Sequence, residues 1–199
     1  MGNDADGSDR PRGRRGFFQH GLLQILTPLA DLLQERLPGL MPGEWLRPPG
    51  ALPEPEFLQR CYRCGKCVEI CPAFAIRKVS SEDEKVDGTP YIDPDLAACS
   101  ICENLECMRQ CPSGALQLVE SKFHIRIGVA RVRSSRCLRT AGGDCEICVR
   151  RCPLGEDAIR LDESGRVVVR RPDPIGCVGC GVCQHLCPAN PKAIVVEPP

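Results

Sequence analysis

Large aromatic side chains are scarce in this sequence, which has one tryptophan, two tyrosines and five phenylalanines among 199 residues. Because aromatic rings bury more apolar surface than other side chains, a chain this poor in them cannot base its core on aromatic packing. The sequence also lacks any run of about twenty apolar residues, the length that a transmembrane helix requires. We therefore expect no membrane span and a core that is stabilised by something other than aromatic side chains.

Neither sign of charge is in excess, since 26 basic residues balance 26 acidic residues. Nucleic-acid-binding proteins usually present a basic surface to the phosphates, so this balance does not suggest nucleic acid as a partner. The glycine fingerprint of nucleotide-binding sites and the nucleophile motifs of hydrolases are missing as well. We therefore expect no catalytic residues, and no enzyme activity of the chain alone.

Cysteine is the residue that this sequence has in excess, with sixteen copies. The cysteines form four sets of four, over residues 61–72, 99–112, 137–153 and 177–188, and each set ends in Cys-Pro. The first cysteines of the sets recur at intervals of 38, 38 and 40 residues. A fixed interval of this kind indicates four structural repeats.

The spacing within the sets is typical of iron–sulfur ligands. The first and fourth sets have the spacing C-x2-C-x2-C-x3-C-P of bacterial two-cluster ferredoxins, in which the fourth cysteine binds the neighbouring cluster. The second and third sets have one wider gap each but keep all four cysteines. We therefore predict four [4Fe–4S] clusters with sixteen ligands: Cys61, Cys64, Cys67 and Cys71; Cys99, Cys102, Cys107 and Cys111; Cys137, Cys145, Cys148 and Cys152; Cys177, Cys180, Cys183 and Cys187.

Two other uses of cysteine fit the pattern less well. Zinc ribbons separate their C-x2-C pairs by a long spacer and do not place three thiolates within seven residues. Eight disulfides would need oxidising conditions and would have to pair the two cysteines of each C-x2-C with distant partners. A [3Fe–4S] cluster would leave one ligand missing from its set, and none is missing.

Two ways of pairing the sets are open, sequential or nested. The two regular sets are outermost and the two widened sets are adjacent, which favours nested pairing. The predicted groups are then Cys61, Cys64, Cys67 and Cys187; Cys177, Cys180, Cys183 and Cys71; Cys99, Cys102, Cys107 and Cys152; and Cys137, Cys145, Cys148 and Cys111.

The residues before the cysteine sets divide into two regions. Residues 1–37 are predicted to be a basic tail followed by an amphipathic helix, or a degenerate export signal. Residues 38–56 contain six prolines and are predicted to be an extended linker. Residues 57–199 form the predicted four-cluster body, in which the segment AIRLDESGRVVVRR has the pattern of a β-hairpin.

The cysteine body resembles the MauM/NapG-type ferredoxins, which are four-cluster polyferredoxins. The stretches that carry the resemblance are LRPPGA, CYRCGKCVEICP, GTPY, CSICENLECMRQCPSGAL, the wide-gap set over 137–153, and CVGCGVCQHLC. The resemblance implies the relay of single electrons from a membrane quinol-linked donor to a redox enzyme, and nested pairing is also what related four-cluster subunits would imply. It further implies a twin-arginine export signal, which Arg14-Arg15 resembles.

Together these observations predict an α+β body of two ferredoxin-like two-cluster modules, which acts in electron transfer as part of an oxidoreductase complex. Redox proteins are the expected donor and acceptor. Two rival roles are a sensory or catalytic subunit, which would need an open iron position, and a structural role in which the clusters only stabilise the fold. We expect a cytoplasmic location, because charged residues soon follow the apolar stretch after Arg14-Arg15 and no A-x-A cleavage site appears; periplasmic export is the alternative.

Overall fold

The structure is a computed structural model, and it describes residues 45–199. The basic tail, the amphipathic helix predicted over residues 16–37 and the Arg14-Arg15 pair lie outside the described residues. Within residues 45–199, no helix is long and apolar enough to cross a membrane.

The first half of the body, residues 45–120, is called module 1. Its elements are α1 (Glu54–Arg60), α2 (Lys66–Glu69), β1 (Ile76–Lys78), β2 (Pro90–Ile92) and α3 (Glu106–Arg109). The strands β1 and β2 pair antiparallel, with Ile76 opposite Ile92, so the chain folds back between the first and second cysteine sets. A single antiparallel bridge between Ala51 and Leu116 joins the start of the module to its end.

Residues 121–199, called module 2, repeat this plan, with a pair of four-residue strands in place of the single bridge. The elements are β3 (Val129–Val132), α4 (Ile147–Arg150), β4 (Ile159–Leu161), β5 (Val167–Val169), α5 (Val182–His185) and β6 (Ile194–Glu197), with 3-10 turns at Lys122–His124, Ser134–Arg136 and Gly155–Asp157. The antiparallel pair β4–β5 confirms the hairpin predicted from the sequence. The pair β3–β6 joins the start of module 2 to its end, as the Ala51–Leu116 bridge does in module 1.

The turn of the β4–β5 hairpin is organised by one carboxylate. The Asp162 side chain accepts hydrogen bonds from the hydroxyl and the backbone N–H of Ser164 and from the backbone N–H of Arg166. These bonds, of which the Ser164 hydroxyl contributes most, lower the pKa of Asp162 to about 2. The arrangement explains why the segment Asp-Glu-Ser-Gly turns the chain at this point.

The core is built from the same two positions in all four repeats. After each Cys-Pro the chain continues to an alanine and an aliphatic residue that are at most 4% exposed: Ala75 and Ile76, Ala115 and Leu116, Ala158 and Ile159, Ala193 and Ile194. Because small and branched residues replace the aromatic residues of an ordinary core, only Phe57 among the phenylalanines is fully buried within residues 45–199. The result is the predicted mixture of short helices and short strands.

The second half of the predicted linker does not extend away from the body. Residues 46–49 are buried, and the Arg47 guanidinium is only 6% exposed. Arg47 donates two hydrogen bonds to the Glu54 carboxylate, at 2.6 and 2.9 Å, and one to the carbonyl oxygen of Pro90, at 2.8 Å. It also lies over the Phe57 ring. Proline content alone predicts an extended linker here, but this buried and fully bonded arginine ties the segment to β2.

Candidate metal centres

The sixteen cysteines line four separate cavities, four cysteines to each. Cavities I to IV are named after the set that supplies three of the four: cavity I is lined by Cys61, Cys64, Cys67 and Cys111; cavity II by Cys99, Cys102, Cys107 and Cys71; cavity III by Cys137, Cys145, Cys148 and Cys187; cavity IV by Cys177, Cys180, Cys183 and Cys152. The empty space beside the sulfurs, counted together with the adjoining open solvent, is similar in all four, at about 390, 360, 390 and 350 Å³ in the order I to IV. The four cavities are therefore suited to four copies of one group.

Each set exchanges its fourth cysteine with its neighbour, because a single helical turn separates the third cysteine from the fourth. The helices α2, α3, α4 and α5 each contain the third cysteine of a set. In the first set, Cys67 lies in α2 and faces cavity I, while Cys71, beyond the end of the helix, faces cavity II. This exchange is what the spacing C-x3-C-P predicts.

The pairing of the sets is sequential, so the predicted nested pairing is wrong. Cys71 lies with the second set, not with the fourth, and Cys187 lies with the third set, not with the first. The nested prediction also placed Cys152 with the second set and Cys111 with the third, whereas they line cavities IV and I. The physical reason is local: the antiparallel pairs β1–β2 and β4–β5 fold each set onto the next one in sequence.

Burial makes free thiolates unfavourable in these cavities. Burial, with the neighbouring cysteines adding repulsion, raises the pKa of Cys67 and of Cys107 to about 12. Burial also raises the pKa of Cys183, and it raises that of Cys180 to about 12. A thiolate in such a place needs a positive charge beside it, and a metal centre supplies that charge when it displaces the protons.

Cys111 is the exception, since its thiol pKa is lowered. Burial acts to raise this pKa, but hydrogen bonds from the Ser113 hydroxyl and from the backbone N–H groups of Leu116 and Ser113 outweigh it. The Ser113 oxygen lies 3.5 Å from the Cys111 sulfur and accepts the Ala115 N–H at 3.3 Å, which leaves the hydroxyl proton for the sulfur. Sequence reasoning missed Ser113, although it is the only residue with a hydroxyl among those that follow the four Cys-Pro pairs.

The donor set of each cavity fits an iron–sulfur cubane, which takes four thiolates. None of the sixteen cysteines is in a disulfide. Within residues 45–199 no three cysteine, histidine or acidic side chains converge closely enough to bind a single metal ion, so the thiols surround a volume rather than a point. Backbone N–H groups are directed at the sulfurs as well: those of Ala75 and Ala130 lie 3.4 Å from the sulfurs of Cys71 and Cys177.

The two modules meet between cavities II and IV. The backbone N–H of Cys99 donates to the carbonyl oxygen of Cys180 at 2.8 Å. The side chain of Gln184, only 5% exposed, donates to the Asp95 carboxylate at 3.0 Å and accepts the Val196 N–H at 2.7 Å. The cavities are therefore connected in the order I, II, IV and III.

Comparison with known proteins agrees with this architecture. The family model described as "4Fe-4S dicluster domain" matches residues 60–115 and 143–190, just over half of the chain. A methylamine utilization ferredoxin-type protein MauM from Methylophilus methylotrophus is 38% identical over 191 residues, which cover 93% of this chain and 84% of that protein. The chain belongs to the MauM/NapG family of ferredoxin-type proteins. Another MauM, from Paracoccus denitrificans, is 40% identical over 77% of this chain and 71% of its own length. The ferredoxin-type protein NapG of Escherichia coli (strain K12) is 36% identical over 78% of this chain and 71% of its own length.

Membership of the MauM/NapG family establishes the cofactor and the class of function. Two dicluster domains correspond to four [4Fe–4S] clusters. The first matched segment contains the first and second sets, and the second contains the fourth set with three of the four cysteines of the third, all but Cys137, which agrees with the cavities. Proteins of this family are ferredoxin-type electron-transfer proteins and not enzymes in their own right.

Proposed function

We propose that the chain relays single electrons through four [4Fe–4S] clusters bound by its sixteen cysteines, three from one set and one from the neighbouring set at each cavity. The observation that carries this proposal is the presence of four thiols at each of four similar cavities. Each cluster, when bound, accepts and returns one electron. The protein's part is to hold the four sites in a row and to bury at least one cysteine in cavities I, II and IV, as with Cys67, Cys107 and Cys183.

The row of sites is supported by the contacts between the cavities. Cavities I and II share α2, since Cys67 and Cys71 are four residues apart and face different cavities. Cavities II and IV are joined by the hydrogen bond from Cys99 to Cys180. Cavities IV and III share α4, through Cys152 and Cys148. An electron that enters at one end of the protein can therefore leave at the other.

The donor and the acceptor are proposed on the basis of the family resemblance. We propose a quinol-linked membrane protein as the donor and a redox enzyme as the acceptor, in keeping with the methylamine utilization named for the relatives from Methylophilus methylotrophus and Paracoccus denitrificans. A cytoplasmic location remains our prediction, with twin-arginine export as the alternative. Replacing Arg14 and Arg15 by lysine and fractionating the cells tests that alternative, since export by the twin-arginine route would be lost.

A potentiometric titration of the anaerobically purified protein tests the proposed function. We expect about four electrons per chain to be taken up and returned reversibly, because each cubane carries one electron. A protein that contains its full iron but has no reversible couple in the physiological range would have clusters that only stabilise the fold. That result would refute the relay.

A further inference from the structure

Cavity I differs from the other three cavities in its charge. Three cationic side chains line it, those of Arg63, Lys66 and Lys78, and no acidic side chain does. Among the described residues that line cavities II, III and IV there is no charged side chain at all. The positive charge of the sites is therefore concentrated at one end of the row.

The same cavity contains the most solvent-accessible of the cysteines. Cys64 is the only one of the sixteen cysteines that is exposed, and Tyr62 beside it is 70% exposed. By contrast, Cys177, Cys180 and Cys183 of cavity IV are all buried. An electron can therefore pass between cavity I and another protein across a shorter stretch of this chain than at cavity IV.

Among the described residues, none of these three cations forms an ion pair with a carboxylate. The Arg63 guanidinium donates to the carbonyl oxygens of Glu84 and Lys85, at 3.2 and 3.0 Å. The Lys78 ammonium lies over Gly65, where an added Cβ would be 3.0 Å from its nitrogen.

We propose that the surface formed by Tyr62, Arg63, Lys66 and Lys78 around Cys64 is the docking face for a redox protein that presents carboxylates around its own redox centre. The proposal rests on the proposed function, because it names where the relay meets a partner. Complementary charge steers two proteins into contact and fixes their orientation. Tyrosine and arginine, here Tyr62 and Arg63, are enriched among the residues that contribute most to protein interfaces.

Small redox probes of opposite charge test this face without knowledge of the partner. The fully reduced, iron-loaded protein is oxidised by the iron(III)–EDTA anion and, separately, by the hexaamminecobalt(III) cation, and the ratio of the two second-order rates is taken. The ratio removes any effect of a changed reduction potential, since the potential alters both rates in the same direction. The variant is Lys66→Gln combined with Lys78→Gln, and the matched control is Arg150→Gln combined with Arg160→Gln, two exposed cations that line no cavity.

We expect the ratio of anion rate to cation rate to fall about fivefold or more in the lysine variant at low salt. One unit charge about 8 Å from a singly charged probe in water changes an encounter rate by about two- to threefold. The variant removes two such charges, which lowers the rate with the anion and raises the rate with the cation. At 1 M salt the effect should vanish, because the screening length falls to about 3 Å. The arginine control should leave the ratio within about twofold of the starting protein. An unchanged ratio in the lysine variant, in protein that still holds its full iron, would overturn the docking face.

A second readout does not depend on electron transfer. Anionic dysprosium–EDTA and its neutral hydroxyethyl analogue shorten the spin relaxation of a nearby reduced cluster, and power saturation measures this effect. On the starting protein, we expect the anionic probe to shorten the spin relaxation more than the neutral probe does. On the lysine variant, we expect the two probes to have the same effect. If the anionic and the neutral probe had the same effect on the starting protein as well as on the lysine variant, the cations would only offset the charge of the cluster. That result would refute the proposal. Failure of the relay itself would instead appear as the absence of any reversible couple. If the double variant lost iron, Lys66→Gln alone would be used, since that side chain is exposed.

Discussion

Replacement of Gly179 by alanine should destabilise the protein strongly. The added methyl group would meet backbone atoms of another segment, which cannot move aside as a flexible side chain could. Gly179 separates Cys177 from Cys180 and has a positive φ of 74°. An added Cβ would lie 2.3 Å from the backbone nitrogen of Gly128 and 2.5 Å from its carbonyl carbon and oxygen. The adjacent hydrogen bond from the Ile127 N–H to the Val178 carbonyl oxygen, at 3.0 Å, holds the two segments together.

The expected magnitude has two parts. The left-handed backbone conformation costs a non-glycine residue about 1–2 kcal/mol. Forcing a methyl group into a closed contact costs about 1–3 kcal/mol more, and backbone must move to relieve it. The sum, about 2–5 kcal/mol, is a large part of the usual 5–15 kcal/mol of stability of a folded protein.

Gly142→Ala is the matched control. Gly142 also has a positive φ, of 91°, but no heavy atom lies within 4 Å of its Cβ position. Only the conformational cost of about 1–2 kcal/mol therefore applies to it. At about 2–4 °C per kcal/mol for a chain of this size, we expect the midpoint to fall by about 10 °C for Gly179→Ala and by about 4 °C for Gly142→Ala.

The assay is anaerobic heating of the iron-loaded protein, followed by visible absorbance of the clusters and by circular dichroism at one fixed heating rate. A fixed rate is needed because cluster loss makes unfolding irreversible. If Gly179→Ala were no less stable than Gly142→Ala, the ligand loop of the fourth set would not pack on Gly128, and the close approach between these segments would be refuted.

Three further predictions concern the clusters themselves. Cys71→Ser and Cys102→Ser should perturb the same electron paramagnetic resonance signal, because both cysteines line cavity II. Cys67→Ser should perturb a different signal, because Cys67 lines cavity I. A common signal for Cys71→Ser and Cys67→Ser would contradict the sequential pairing. Ser113→Ala should lower the reduction potential of one cluster by about 20–40 mV, because a hydrogen bond to sulfur stabilises the more negative reduced state; a tenfold change in equilibrium corresponds to about 59 mV. If potentiometry found every reduction potential unchanged, Ser113 would have no such role. Anaerobic removal of iron by a chelator should abolish the cooperative unfolding transition, because four cavities would be left without their contents; an apo form that keeps its full transition would show that the aliphatic core suffices alone.

The sequence predicts the content of the sites better than their arrangement. Sets of four cysteines before a proline are a local signal, so each cavity does receive three cysteines from one set, as with Cys99, Cys102 and Cys107. The hairpin over β4 and β5 is also local and was predicted correctly. In both cases the residues that decide the structure are close together in the chain.

The pairing could not be predicted from the widths of the gaps. The extra residues of the two widened sets, such as Glu103, Asn104 and those at 140–144, lie at the surface and change only loop length. What decides the pairing is the short connection through β1 and β2, since neighbouring segments of a chain usually pack on each other. Similarity of spacing between the outer sets carries no information about that contact.

The contacts between the modules were also beyond the reach of the sequence. The hydrogen bond between the backbones of Cys99 and Cys180 involves no distinctive side chain. Gln184 is of a polar type that is usually exposed, yet it is buried and links the modules through its hydrogen bond to Asp95. Within module 1, the buried Arg47 likewise links distant segments through its hydrogen bond to Pro90. Such long-range bonds follow only from the folded chain.

The most direct test of the four-site account is the amount of iron and acid-labile sulfide per chain in anaerobically purified protein, together with electron paramagnetic resonance after reduction by dithionite. We predict about sixteen of each, in four cubanes whose signals are magnetically coupled because the cavities are adjacent. About eight iron atoms per chain, or zinc in place of iron, would mean that one module holds no clusters. Either result would contradict a continuous row of four sites.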